Sequence, residues 1–334
     1  MTERSNLRVL TWHIHGSYLY YLTQTPCTFY LPHKNSKEEG YGARTPSFPW
    51  GDNVISVPAE EVKNLEFDVI LFQSKKNYTH DQYEILSDKQ RALPKIYLEH
   101  DPPREVPTDT KHVVDDPNTL LAHVTHFNRL MWDNNSSPTT VIEHGVVDPG
   151  YLYKGTLDKG IVVINGIVKR GRRLGLDVFK KVREEIPLDI VGMGSEEVGG
   201  LGDINNRKLP ELISQYRFFF NPIRYTSLGL SVCEAMMAGL PIVGLATTEM
   251  SITVTNGQSG YISTDVDFLI EKMKMLLNNP DKAQTLSQGA RETALQKFNM
   301  KRFTNDWLKI FHQVVNKTYV NNNITESIYS ESEP

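Results

Sequence analysis

Cysteine is scarce in this sequence, and long apolar runs are missing from it. The only two cysteines in 334 residues, Cys27 and Cys233, lie far apart among apolar or small neighbours. That excludes a disulfide framework and suits a cytosolic protein with buried thiols. No stretch is apolar for the length of a membrane span, and the polar start Met1-Thr-Glu-Arg-Ser does not read as a signal peptide, so any membrane contact would be peripheral. CxxC and HExxH are absent, and no metal site is predicted. Asp265-Val-Asp267 has the spelling of a metal-binding Asp-x-Asp pair, but it opens a helix expected over Phe268 to Leu277, where Asp is favoured as a cap. A full Gly-x-Gly-x-x-Gly fingerprint and a Gly-Lys-Thr phosphate loop are also missing, which weighs against a dehydrogenase and an NTPase. Charge of one sign is not in large excess. A formal net charge of −4 and a pI near 6.2 argue against nucleic acid as a partner.

With 39% hydrophobic and 23% charged residues, the composition is that of an ordinary soluble globular protein. The length exceeds what one core usually organises, so two domains are expected. In the first half, strands are expected at Leu7 to Thr11, Val69 to Gln73, Lys95 to Glu99, Leu121 to Thr125 and Thr140 to Glu143, the spacing of a doubly wound α/β sheet. Ligands bind such sheets beyond the carboxyl ends of the strands. His13-Ile-His-Gly16, Glu99-His-Asp-Pro-Pro103 and Glu143-His-Gly-Val-Val-Asp148 fall there. His100 stands out among ten histidines because it follows an apolar strand and precedes the rigid Pro102-Pro103. Trp12, Tyr18, Tyr20 and Tyr21 read as core in preference to a sugar-stacking surface.

The second half repeats this logic. Strands are expected at Gly160 to Asn165, Pro187 to Val191, Tyr216 to Asn221 and Pro241 to Ala246, with an amphipathic helix over Leu176 to Glu185. The loop Gly166 to Gly175 holds four cations in five residues: Lys169, Arg170, Arg172 and Arg173. At the carboxyl end of a strand they would neutralise a pyrophosphate. Thr226, Ser227, Gly229 and Leu230 lead into a helix that Gly239 and Pro241 stop. Its free N–H groups and dipole suit a phosphate, which Gly229 would let approach closely. That helix is apolar apart from Glu234, a carboxylate that needs either a structural partner or a ligand bearing hydroxyls, such as a ribose.

Gly229-Leu230 and Glu234-Ala-Met-Met-Ala-Gly-Leu-Pro241 resemble the donor-binding segment of retaining nucleotide-sugar glycosyltransferases of family four, with the GT-B fold (glycosyl transferases group 1). Their pattern is a Glu, then Gly-Phe-Gly-Leu or similar, then a second Glu eight positions after the first. The resemblance covers roughly residues 7 to 316 and implies two Rossmann-like doubly wound domains facing a cleft. It makes Glu234 the group on the donor ribose, Lys169 and Arg173 the cations on the leaving diphosphate, and His100 the first-domain residue at the donor sugar. Gly16, Arg170, Arg172, Thr226, Ser227, Gly229, Leu230 and Glu249 complete the implied donor site. The family's first glutamate is replaced here by Thr226, which leaves sugar identity and the transfer step open.

The expected organisation is an acceptor domain over residues 1–148, a linker over 149–159, a donor domain over 160–297, a terminal helix over 298–316 that crosses back to the first domain, and a disordered tail over 317–334. The expected activity is transfer of a sugar from a nucleotide-sugar to an acceptor hydroxyl, with retention and without metal or other cofactor, in glycan or glycolipid synthesis. Two alternatives are a catalytically silent module of the same fold and a nucleotide-sugar epimerase. The nucleotide base and the acceptor are not legible.

Overall fold

The computed structural model describes residues 6–36 and 38–318, so the expected disordered tail lies outside the described residues except for Lys317 and Thr318. The chain divides into two units. The first runs to Ile142 and resumes at Thr304; the second is Glu143–Phe303.

Among the described residues, the first unit is built on seven strands: β1 (Arg8–Thr11), β2 (Thr28–His33), β3 (Val54–Pro58), β4 (Val69–Phe72), β5 (Lys95–Glu99), β6 (Thr119–His123) and β7 (Thr139–Val141). Their order is β3-β2-β1-β4-β5-β6-β7, and every neighbouring pair is parallel. Helices and loops on both faces leave the central strands no wet side, which is why β4 reads Val-Ile-Leu-Phe and is buried throughout. β2 and β3 are additions to the expected set. Pro32 argues against a strand, but β2 pairs with β1 only through Thr28, Phe29 and Tyr30, so the missing N–H falls beyond that ladder. β6 begins two residues earlier than expected. From β1 the chain winds one way to β2 and β3 and the other way to β4 onward, which puts the switch point between β1 and β4.

The second unit has five parallel strands: β8 (Leu157–Val163), β9 (Leu188–Val191), β10 (Tyr216–Asn221), β11 (Ile242–Leu245) and β12 (Gly260–Ser263), ordered β12-β11-β10-β8-β9. Its switch point lies between β8 and β10. Packed on this sheet is a core that includes Ile190, Phe218, Phe220, Val243, Leu269 and Leu286.

Among the helices, α1 (Gly16–Leu22) follows β1, α2 (Leu176–Arg183) follows β8, and α3 (Leu230–Ala238) joins β10 to β11. α3 stops in a Schellman motif: Leu240 N–H donates to Ala235 O and Gly239 N–H to Met236 O, with Gly239 at φ +97. α4 (Val266–Asn278) starts at Asp265, whose carboxylate accepts from the N–H groups of Asp267 and Phe268, so this Asp-x-Asp pair begins as a cap. After α5 (Pro280–Lys297), α6 (Met300–Val315) carries Trp307 and Phe311 into the first unit's core, where Trp307 Nε1 donates to the Tyr18 hydroxyl oxygen at 3.2 Å and Phe311 packs edge-on against Phe29. No helix among the described residues is long and apolar enough to cross a membrane.

Candidate functional site

In the second unit, both loops that leave the switch point carry the residues singled out by sequence. The segment after β10 runs from Pro222 to Gly229 and enters α3, while the segment after β8 is the basic stretch. They are joined directly: the N–H groups of Arg224 and Tyr225 donate to Arg173 O at 3.1 and 3.3 Å, and Ser231 Oγ at the start of α3 donates to Val163 O at 3.3 Å. A third loop closes the set. Thr247 Oγ1 donates to Ile223 O at 2.9 Å and Thr248 Oγ1 to Ser227 O at 3.2 Å, so the segment is held from both sides.

Gly229 is the cap of α3, with φ −65 and ψ 130, a backbone any residue adopts. A Cβ there would meet only Ser231 Oγ, at 3.5 Å. The glycine therefore answers no steric demand of the fold; it leaves the helix mouth open, where the first N–H groups have no intrahelical partner and the dipole favours an anion. Glu234 stands about one turn inside and is half-buried, while its neighbours Cys233, Ala235 and Met236 are buried. Burial, seconded by the Glu234 charge, pushes the Cys233 thiol well above its usual range, so this cysteine is inert. Leu230 and Thr226 are half-buried and Ser227 is buried.

The basic stretch is ordered where a loop was expected. Ile167–Arg170 forms a helical turn and Gly171–Leu174 a 3-10 turn, with Gly166, Gly171 and Gly175 all at positive φ. A Cβ on Gly175 would fall 1.9 Å from Pro222 O, so glycine permits the close approach of the two loops. Lys169 and Arg170 are exposed and make no ion pair among the described residues; Arg173 is half-buried. Arg172 differs from expectation: its guanidinium pairs with Asp177 at 2.6 Å, and so does Arg224, whose Nη2 reaches Asp177 Oδ2 at 2.8 Å. Hydrogen bonding from Arg224 holds the Asp177 carboxyl below its usual range. Sequence reasoning passed over Arg224 and Asp177. A cation directly after β10 and an acid in the first turn of α2 were the signals available.

Glu249 is 4% exposed, unlike a typical loop glutamate, and its carbonyl accepts from Thr253 Oγ1 at 2.8 Å. The preceding Thr248 sits at φ +51, a left-handed backbone that is strained for a β-branched residue. His144, within the second unit, donates Nε2–H to Leu228 O at 2.9 Å and so braces the same segment from beneath; burial holds its pKa down to about 4.

The first unit gathers its own polar group at its switch point. His100 follows β5, Gln73 follows β4, and Trp12 to His15 follow β1. His100 Nε2 lies 3.2 Å from Gln73 Oε1, and its ring centroid lies 4.0 Å from that of His15 and 4.8 Å from that of Tyr18. Glu99 steadies the turn: it accepts from Asp101 N–H at 2.9 Å and from His112 Nε2 at 3.1 Å. Gly16 opens α1, but a Cβ there would lie 2.9 Å from the Phe48 ring and 3.2 Å from His13 Nε2, so these side chains cover it. Trp12, Tyr18 and Tyr21 are buried as core, whereas Tyr20 is half-exposed and stacks on Phe48. No group of three or more His, Cys, Asp or Glu among the described residues could hold a metal.

Against proteins of known structure, the chain is similar to sucrose-phosphate synthase from Thermosynechococcus elongatus, with a TM-score of 0.67, 13% identity and coverage of 93% of this chain and 100% of that one. It is also similar to HepE from Anabaena in complex with UDP, with a TM-score of 0.65, 12% identity and coverage of 92% and 100%. The chain has the GT-B fold. At these identities the likeness speaks for the fold alone. Within the GT-B chain, residues 159–279 match the family model described as Glycosyl transferases group 1, which places the basic stretch, α3 and Glu249 inside the matched segment. A trehalose synthase from Thermococcus litoralis is 27% identical, with 41% of this chain and 40% of the relative covered. The match thus spans well under half the length of that relative.

Proposed function

We propose that the protein is a glycosyltransferase that takes a sugar from a nucleotide-sugar, with the second unit as its donor domain. The observation that carries this reading is the convergence, at one switch point, of an open helix mouth at Gly229, exposed cations at Lys169 and Arg170, and a half-buried Glu234 one turn along. A diphosphate is complementary to the first two and a ribose to the third. The group 1 match over the same segment supports it. UDP is the first nucleotide to try, because HepE is described with UDP bound.

In this reading, cleavage at the anomeric carbon leaves charge on the diphosphate oxygens. Lys169, Arg170 and Arg173, with the N–H groups at Gly229 and Leu230, stabilise that charge without calling on a metal. Arg172 and Arg224 fix the geometry of the cradle through Asp177. Ser227, Thr226 and Glu249 shape the donor loop, and His100 is the substrate-facing group of the first unit, which takes the acceptor. Transfer proceeds with retention. Thr226, where the family pattern has a carboxylate, favours one other reading, a silent module that binds the nucleotide-sugar and transfers nothing.

NMR of the products decides between the two. Incubation of the protein with UDP-glucose and a panel of sugar acceptors is expected to give an α-linked product and UDP. Recovery of intact donor with every acceptor, despite measurable UDP binding, would favour the silent module.

A further inference from the structure

Gln73 is 4% exposed, and both of its amide hydrogens are used: Nε2 donates to Thr11 Oγ1 at 2.8 Å and to Trp12 O at 2.9 Å. The Trp12 carbonyl can only accept, so the orientation of the amide is fixed, with Oε1 directed at His100 Nε2 at 3.2 Å. A carbonyl oxygen has no hydrogen to give. The His100 nitrogen facing it must therefore carry one, since the alternative sets two acceptors against each other in a half-buried contact beside the buried Gln73.

We propose that Gln73 is a positioning residue that holds His100 in the Nε2–H tautomer, so that in the neutral ring the lone pair is on Nδ1. At Nδ1 the neutral ring is then an acceptor and not a donor, whichever group meets it. The proposal rests on the reading of His100 as the substrate-facing group of the first unit. Its physical basis is the termini of three strands: β1 supplies the two acceptors that orient the amide, β4 the amide, and β5 the imidazole. Among the groups that face the imidazole are His15, with ring centroids 4.0 Å apart, and Tyr18 at 4.8 Å, with Asp101 next in sequence. His15 opposes protonation of both rings together.

The test is a long-range 15N–1H correlation spectrum of the full chain with 15N-labelled histidine, with His100→Gln used to assign the resonances. The wild-type protein is expected to show neutral His100 as the Nε2–H form. Gln73→Leu should convert it to a mixture, and so should Gln73→Met, which keeps the length of the side chain without the amide oxygen. An Nδ1–H form in the wild-type protein, or a spectrum that Gln73→Leu leaves unchanged, overturns the proposal. If Gln73→Leu does not fold, the wild-type tautomer and the Gln73→Met spectrum decide. UDP binding separates this from the function: loss of binding with the tautomer as stated sinks only the transferase reading, and binding with an Nδ1–H ring sinks only the role of Gln73.

Discussion

Two histidines are held neutral by burial, one in each unit. Desolvation depresses His123 to about 3 against its bond to Asn134, and His144 to about 4 against its bond to Leu228 O. A folded pKa below the unfolded value means that the unfolded chain binds more protons, so the stability is present above about pH 6.5 and is lost as pH falls toward the folded values. Between about pH 7 and pH 5 each should cost roughly 2 kcal/mol. Urea unfolding at the two pH values, in the wild-type protein and in His144→Asn, checks this: the variant is expected to start less stable and to lose less on acidification. The carboxylates lowered by ion pairs, such as Asp177 and Asp148, titrate below this window and leave it clean. At this scale the sequence was legible where a residue type is rare for its setting. Glu234 in an apolar helix and His100 before two prolines are such cases. Arg172 was not legible in full, because its counterion Asp177 comes from the next helix and a local run of cations says nothing about which are already paired.

The strands and helices owe their joints to a few polar side chains. Arg217, on β10, is inside the second unit: its Nε donates to Gly155 O at 2.9 Å and its Nη1 to Leu276 O and Leu277 O at 3.2 and 2.9 Å, while Nη2 pairs with the exposed Asp158. It ties β10 to the end of α4 and to the entry of β8. Arg217→Met would keep the apolar stem and orphan those carbonyls, each worth about 1–3 kcal/mol when buried without a partner. The expected loss is about 3 kcal/mol or more, read as a fall in the urea midpoint. A fall equivalent to less than about 1 kcal/mol would show that water satisfies the carbonyls. Elements with continuous apolar runs were readable in sequence: β5 and β10 lie where periodicity put them. β2 and β3 were not, because Pro32 and Pro58 are disqualifying unless the neighbouring ladder is known, and that is a long-range fact. The ordered turns over Ile167–Leu174 were hidden for a similar reason, since their three glycines read as a loop.

For the whole molecule, the two sheets repeat one device: a switch point in a parallel sheet, with a polar group at the carboxyl ends of the strands beside it. In the second unit we propose that this group holds a nucleotide diphosphate, and this is the central claim. Calorimetric titration of UDP, GDP and ADP into the wild-type protein, Glu234→Ala and Gly229→Val, with a chelator present, tests it most directly. The account predicts that one nucleotide binds the wild-type protein at micromolar concentration, that both variants stay folded, and that each weakens binding at least tenfold, about 1.4 kcal/mol. Gly229→Val does so by filling the helix mouth with a side chain the backbone tolerates. Equal affinity in the wild-type protein and Gly229→Val, or no binding of any of the three nucleotides, would contradict it.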